Sequence, residues 1–168
     1  IAEVRPQVNG IVEKRLFTEG GLVRAGQPLY QLDDKTYAAD LETARATLAR
    51  GEAALNSARL NARRSSDLVK IDAVSKQDDE TAVATLKQSQ ADVSAGRASV
   101  QSASVILGRA RITSPISGRI GKSAVTQGAL VTANQADALA VVQQLDPVHV
   151  DIRQYSAELL ALRKQIAA

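Results

Sequence analysis

Few residues in this 168-residue chain could do chemistry, and their spacing decides against most of it. His149 is the single histidine and there is no cysteine, so neither a thiolate site nor a multi-histidine metal site can form. No Ser-His-Asp grouping surrounds it, and in an alternating apolar segment it reads as structural. Asp78, Asp79 and Glu80 form an acidic run with Asp72 nearby. Calcium would need oxygens converging on a loop, whereas these carboxylates sit at a helix start, where they complement the dipole, so capping accounts for them better. The glycines around positions 10, 20, 118 and 128 make no Gly-x-Gly-x-x-Gly and no Walker spacing, which leaves nucleotide binding unsupported. Lys35 is the residue that a swinging carrier module would modify at a tight hairpin turn, but it falls where a long helical pattern begins. The expectation is a protein with no catalytic residue, no cofactor and no metal.

The composition points the same way. Hydrophobic residues reach 45%, but much of that is alanine and only 2% of residues are aromatic, which favours thin elements with close backbones over one thick core. The net charge of +3 arises from 21 basic and 18 acidic side chains in alternation, so no nucleic-acid groove or polybasic membrane tail is expected. No apolar run approaches the ~18 residues that a membrane-spanning helix needs, and no signal-peptide pattern is visible. The chain opens on Ile1 rather than Met and closes in a helical-looking segment, and a piece of a longer protein is expected.

An internal match organises the ends. Val8-Asn9-Gly10-Ile11-Val12 parallels Ile116-Ser117-Gly118-Arg119-Ile120, and Glu19-Gly20-Gly21-Leu22-Val23 parallels Gln127-Gly128-Ala129-Leu130-Val131. The glycines of each copy, Gly10 to Gly20 and Gly118 to Gly128, are ten residues apart. Each copy reads as short strands with glycine turns, closed by Leu29 to Leu32 and by Leu139 to Val142. Neither half is large enough to hide its own apolar face, so the expectation is a small sandwich with the halves packed face to face.

Between them the period becomes helical. Leu41, Leu48, Leu55, Ala62 and Val69 recur every seven residues, with Ala44, Gly51, Ala58 and Ser65 in the complementary positions. Leu86, Val93, Val100 and Leu107 repeat this, interleaved with Ser89, Gly96, Ala103 and Ala110. Sustained heptads of one large and one small residue predict a slender antiparallel two-helix coiled coil. Gly51 and Gly96 either let the arms approach closely or mark a site of bending or lateral packing. Asp33 or Asp34 is placed to cap the first helix, and Ser75 with Asp78 fits a capping box for the second. Arms of this length bury little apolar area per ordered residue, so the rod reads as a spacer or docking arm. Beyond Gln143-Gln144-Leu145-Asp146-Pro147, a strand from Val148 to Ile152 and a helix from Ser156 to Ile166 look like the opening of another domain.

Split β halves around a coiled coil closely resemble the periplasmic adaptors, or membrane fusion proteins, of resistance-nodulation-division type tripartite multidrug efflux pumps. The resemblance rests on Val4-Arg5-Pro6-Gln7-Val8-Asn9-Gly10-Ile11-Val12, on Ile112-Thr113-Ser114-Pro115-Ile116-Ser117-Gly118-Arg119-Ile120-Gly121, and on Val142-Gln143-Gln144-Leu145-Asp146-Pro147. It implies an α+β multidomain fold, with a lipoyl-like barrel-sandwich hybrid domain at 1–33 and 111–144. An α-helical hairpin follows at 34–110, with its tip near 68–76, and a β-barrel domain begins at 145–168. It also implies a periplasmic location, an amino-terminal lipid anchor outside this chain, and self-association into a ring or funnel. The implied partners are an outer-membrane channel and an inner-membrane proton-driven transporter. An adaptor of type I secretion or metal export, or a lipoyl or biotinyl carrier, are the alternatives.

The family's hairpin tip carries an Arg, Leu, Ser pattern implicated in channel docking, and Arg64, Leu68 and Ser75 fit its spacing. Arg64 can donate charge-assisted bonds to a channel rim. Leu68 can fill an apolar notch there or belong to the hairpin's own core. Ser75 either contacts the channel or only caps its helix.

Overall fold

The computed structural model describes residues 1–144. His149, the expected strand and helix around it, and the expected start of a β-barrel lie outside the described residues. In chain order the elements are β1 (Ala2–Val4), β2 (Gly10–Arg15), β3 (Leu22–Val23), β4 (Pro28–Leu32), α1 (Lys35–Val69), α2 (Lys76–Arg109), β5 (Arg111–Thr113), β6 (Gly118–Ile120), β7 (Leu130–Val131) and β8 (Ala140–Gln143).

The eight strands make two four-stranded sheets, ordered β1-β8-β6-β3 and β5-β4-β2-β7. This is a barrel-sandwich hybrid with a helical hairpin inserted between its halves. The halves do not face each other as one sheet apiece: each sheet takes two strands from either half. Strands of two to six residues cannot form a closed sheet with near neighbours alone, and exchange supplies the missing partners.

The exchange obeys a pseudo-two-fold relation between residues 108 positions apart, as Gly10 and Gly118 are. Gly10 pairs with Val131 and Ile11 with Leu130, while Gly118 pairs with Val23 and Arg119 with Leu22. Gly20 N–H donates to the Ile120 carbonyl at 2.9 Å, and Gly128 N–H to the Val12 carbonyl at 2.8 Å. Asn9 Oδ1 accepts from Ala133 N–H at 2.7 Å, and its counterpart Ser117 Oγ accepts from Ala25 N–H at 2.9 Å. The repeat seen in the sequence therefore persists down to single hydrogen bonds.

Gly20 and Gly128 occupy turns with φ of +74° and +88°, a region that glycine enters at little cost because it has no Cβ. Gly10 and Gly118, expected at turns, are instead the first residues of β2 and β6. What Gly118 needs is room: a Cβ there would stand 2.2 Å from the Gln143 carbonyl oxygen on β8.

Val12, Val23, Leu29, Leu32, Ile120, Val131, Leu139 and Val142 fill the space between the sheets. Tyr30 is fully buried among them. Its hydroxyl donates to the Leu139 carbonyl at 3.0 Å and shares a 2.7 Å hydrogen bond with Ser123 Oγ. Its ring meets Phe17 edge-on at 5.2 Å. Burial pushes the phenol above its ordinary pKa, and the Ser123 hydrogen bond partly opposes this.

The hairpin arms contain 35 and 34 residues, hence about 50 Å each at 1.5 Å per residue. Leu41, Ala58, Ala62 and Val93 are buried, and Leu48, Leu55, Leu86, Val100 and Leu107 are partly buried. The complementary small positions, Ala44, Gly51, Ser65, Ser89, Gly96 and Ala103, are partly buried as well, so both heptad series lie in one seam. A Cβ on Gly96 would stand 3.2 Å from Leu48 Cδ1, and one on Gly51 would stand 3.7 Å from Val93 Cγ2. Both contacts belong to one antiparallel register, in which a large residue on one arm sits over a small one on the other.

At the base, Asp34 occupies the N-cap position of α1 without a side-chain capping bond. Asp33 Oδ1 accepts from Lys35 N–H at 3.2 Å in its place, while Asp34 Oδ2 accepts from Gln31 Nε2. Lys35 is thus the first residue of α1, and a long helix rather than a tight turn follows it.

Candidate functional site

The hairpin tip is built from two complementary helix ends. At the end of α1, Ala73 N–H donates to the Leu68 carbonyl and Asp72 N–H to the Val69 carbonyl, both at 3.0 Å. This pair of bonds is a Schellman arrangement, and its left-handed residue is Asp72, at φ +53°. The position is ordinarily a glycine's. Aspartate tolerates it better than most residues because a short polar side chain can compensate locally.

Three residues later the second helix is started by a side chain. Ser75 is extended, at φ −74° and ψ 153°, and its Oγ accepts from Asp78 N–H at 3.1 Å. Asp78 Oδ2 accepts in return from Ser75 N–H at 3.4 Å and from Ser75 Oγ at 2.7 Å. Asp78 and Asp79 fill the first turn, where carboxylates complement the exposed N–H groups. The tip therefore turns without glycine or proline by ending one helix with Asp72 and capping the next with Ser75.

Around this turn the surface is mixed. Lys70 Nζ donates to Asp67 Oδ1 at 2.9 Å. That hydrogen bond, and then the lysine's charge, hold the exposed Asp67 carboxyl below its ordinary pKa. Arg64 is exposed and makes no hydrogen bond or ion pair among the described residues. Leu68 is partly buried one position before the seam residue Val69, so part of its surface remains open. Ile71 is 71% exposed at the apex. An unpaired guanidinium, a partly open leucine and an exposed isoleucine thus lie within eight residues of one another at this end of the hairpin.

The structure thus places Arg64 and Leu68 one turn apart on α1 and Ser75 across the bend, where its hydroxyl is engaged in capping. Two tip residues were missed as individuals in the sequence. Asp72 carried no signal beyond the absence of glycine from the turn. Asp79 read only as part of an acidic run, yet its Oδ1 is inaccessible to solvent and lacks a hydrogen-bond partner among the described residues. Among those residues no group of three or more His, Cys, Asp or Glu could hold a metal ion. No described helix is long and apolar enough to cross a membrane.

Residues 1–143 match the family model described as RND MFP, barrel-sandwich hybrid domain. The chain belongs to the RND membrane fusion protein family. It is 52% identical over 168 residues to the multidrug resistance protein MexA of Pseudomonas aeruginosa, covering all of this chain and 40% of that protein. It is 49% identical over 167 residues to the multidrug efflux pump subunit AcrA of Escherichia coli, covering 99% of this chain and 42% of that protein. Among solved structures, ZneB from Cupriavidus metallidurans matches with a TM-score of 0.60 and 25% identity, over 86% of this chain and 60% of that one. The chain spans about two fifths of the length of the curated relatives it matches. Within an RND membrane fusion protein, the described residues are the barrel-sandwich hybrid domain and its hairpin.

Proposed function

We propose that the protein is a non-enzymatic periplasmic adaptor that links an inner-membrane proton-driven transporter of the resistance-nodulation-division type to an outer-membrane channel in a drug efflux pump. The observation that carries this reading is the 52% identity to MexA across the whole chain, hairpin included. The hairpin tip docks on the channel through Arg64 and Leu68, and Ser75 shapes the contact by holding the bend. An unpaired Arg64 and the part of Leu68 that stays open to solvent support that assignment. The division into a β domain at 1–33 and 111–144, a hairpin at 34–110 and a further domain from 145 belongs to the same proposal. So do an amino-terminal lipid anchor and packing of several copies into a ring or funnel.

Site-directed crosslinking in cells tests the docking. Cysteines introduced at positions 64, 68 and 75 of the full-length protein should crosslink to the outer-membrane channel well above a mid-shaft control. Crosslinking no better than the control at all three positions would refute tip docking. Leu68→Asp should reduce association while the hairpin stays helical, and loss of helicity would assign Leu68 to internal packing instead.

A further inference from the structure

The register of the hairpin changes character near the tip. Leu48 over Gly96 and Val93 over Gly51 fix which heptad positions oppose each other. Carried along the uninterrupted helices toward the apex, the same register sets Leu55 opposite Ser89 and Leu86 opposite Ala58. Each of these layers has one large apolar residue. The next layer pairs Ala62 with Ala82, and the one beyond pairs Ser65 with Asp79. Two successive layers of the seam therefore lack a large apolar member before Val69 closes it at the bend.

Asp79 makes this more than thin packing. It lies seven residues before Leu86 and fourteen before Val93, at the same heptad position. Its Oδ1 is shut off from solvent and accepts no hydrogen bond among the described residues. A buried acceptor without a donor disfavours the closed arrangement that buries it, because water is given up and nothing replaces it. The free N–H groups of the first turn of α2 offset only part of that cost. Ser65, the residue that this register sets opposite, is small and polar and makes no side-chain hydrogen bond among the described residues, so nothing on α1 there supplies Asp79 Oδ1 with a donor.

We propose that Asp79 is a positioning residue of the tip: it keeps the distal seam weakly closed, so that the arms part on docking and its carboxylate receives a cationic or hydroxyl donor from the outer-membrane channel. The inference rests on the docking reading above and adds a conformational step and a second contact to it.

Full-length protein carrying Asp79→Leu separates the possibilities. Leucine restores a large-over-small layer, so amide hydrogen exchange across 62–69 and 76–82 should slow severalfold. Crosslinking of the tip to the channel should fall severalfold in the same variant. Asp79→Asn, which keeps an acceptor without the charge, should fall between the leucine variant and the unaltered protein in both measurements. Slower exchange with undiminished crosslinking would overturn the proposal, since a closed tip would then dock as well as an open one. Unchanged or faster exchange in Asp79→Leu would overturn it too, because the layer would not be what loosens the tip. Failure of the unaltered protein to crosslink at all would instead remove the docking reading, a result that the exchange measurement cannot mimic.

Discussion

Leu48 of α1 lies across the backbone of Gly96 on α2: a Cβ added to Gly96 would stand 3.2 Å from Leu48 Cδ1 and 3.4 Å from Leu48 Cα. The related pair, Val93 over Gly51, leaves 3.7 Å, an ordinary van der Waals separation. Two glycines that look equivalent in the heptad pattern thus have different amounts of room.

Gly51→Ala should therefore stabilise the hairpin by up to about 1 kcal/mol, the helix-propensity difference between the two residues. Gly96→Ala gains the same propensity but must push Leu48 aside, and should be neutral or destabilising. Thermal unfolding of the two variants, followed by circular dichroism, distinguishes them.

Gly118→Ala is expected to be the most damaging small change in the β domain. The clash is with backbone, the Gln143 carbonyl at 2.2 Å, so no side-chain rotation relieves it and β6 must separate from β8. Overpacking of this kind costs about 1–3 kcal/mol or more. Denaturant unfolding should show a lower midpoint.

Tyr30 confers an alkaline limit on the β domain. Its folded pKa is raised by burial above the unfolded value near 10, so the folded state holds the proton more tightly. That contribution is complete below pH 10 and declines as pH climbs through the folded pKa. Tyr30→Phe should cost about 1 kcal/mol through the lost bonds to Leu139 and Ser123, and should flatten the stability profile above pH 10.

Asp72→Val should fray the end of α1, since a β-branched side chain at φ +53° is strained by about 1–2 kcal/mol. Asp72→Gly should be tolerated. Amide exchange at Asp72 and Ala73, whose N–H groups close the Schellman bonds, reports the difference.

Ser75→Ala removes the acceptor for Asp78 N–H and should cost about 1 kcal/mol of helix stability at the start of α2. Ser75→Asn restores a capping oxygen without the hydroxyl. Channel crosslinking that recovers with asparagine assigns Ser75 to shaping the tip; crosslinking that stays low assigns the hydroxyl to the partner.

What the sequence made legible were features with a local cause. Heptads running from Leu41 to Val69 and from Leu86 to Leu107 specify a seam by spacing alone, and Ser75 with Asp78 specifies a helix start by a three-residue interval. The pairing of Gly10 with Val131 has no such local mark, because β7 has only two residues and carries too little periodicity to name a partner 121 positions away. The same holds for Gly118, read as a turn because glycine is common there, when a distant carbonyl is what requires it. Asp79 was hidden for another reason: an acid in a first helical turn is unremarkable until one of its oxygens is seen to be buried without a partner.

The strand exchange also sets an order of events in synthesis. Neither sheet can close until residues 111–143 have been made, yet residues 1–32 emerge first and must wait through the whole hairpin. The hairpin consists of contacts between neighbouring turns and one antiparallel seam, which form quickly compared with long-range strand pairing. Once zipped, it brings Leu32 and Ala110 together, where a 2.9 Å backbone bond joins them, and the long loop between the halves is already closed. The arm that reaches outward in the finished protein is, during biogenesis, the clasp that lets the early half meet the late one.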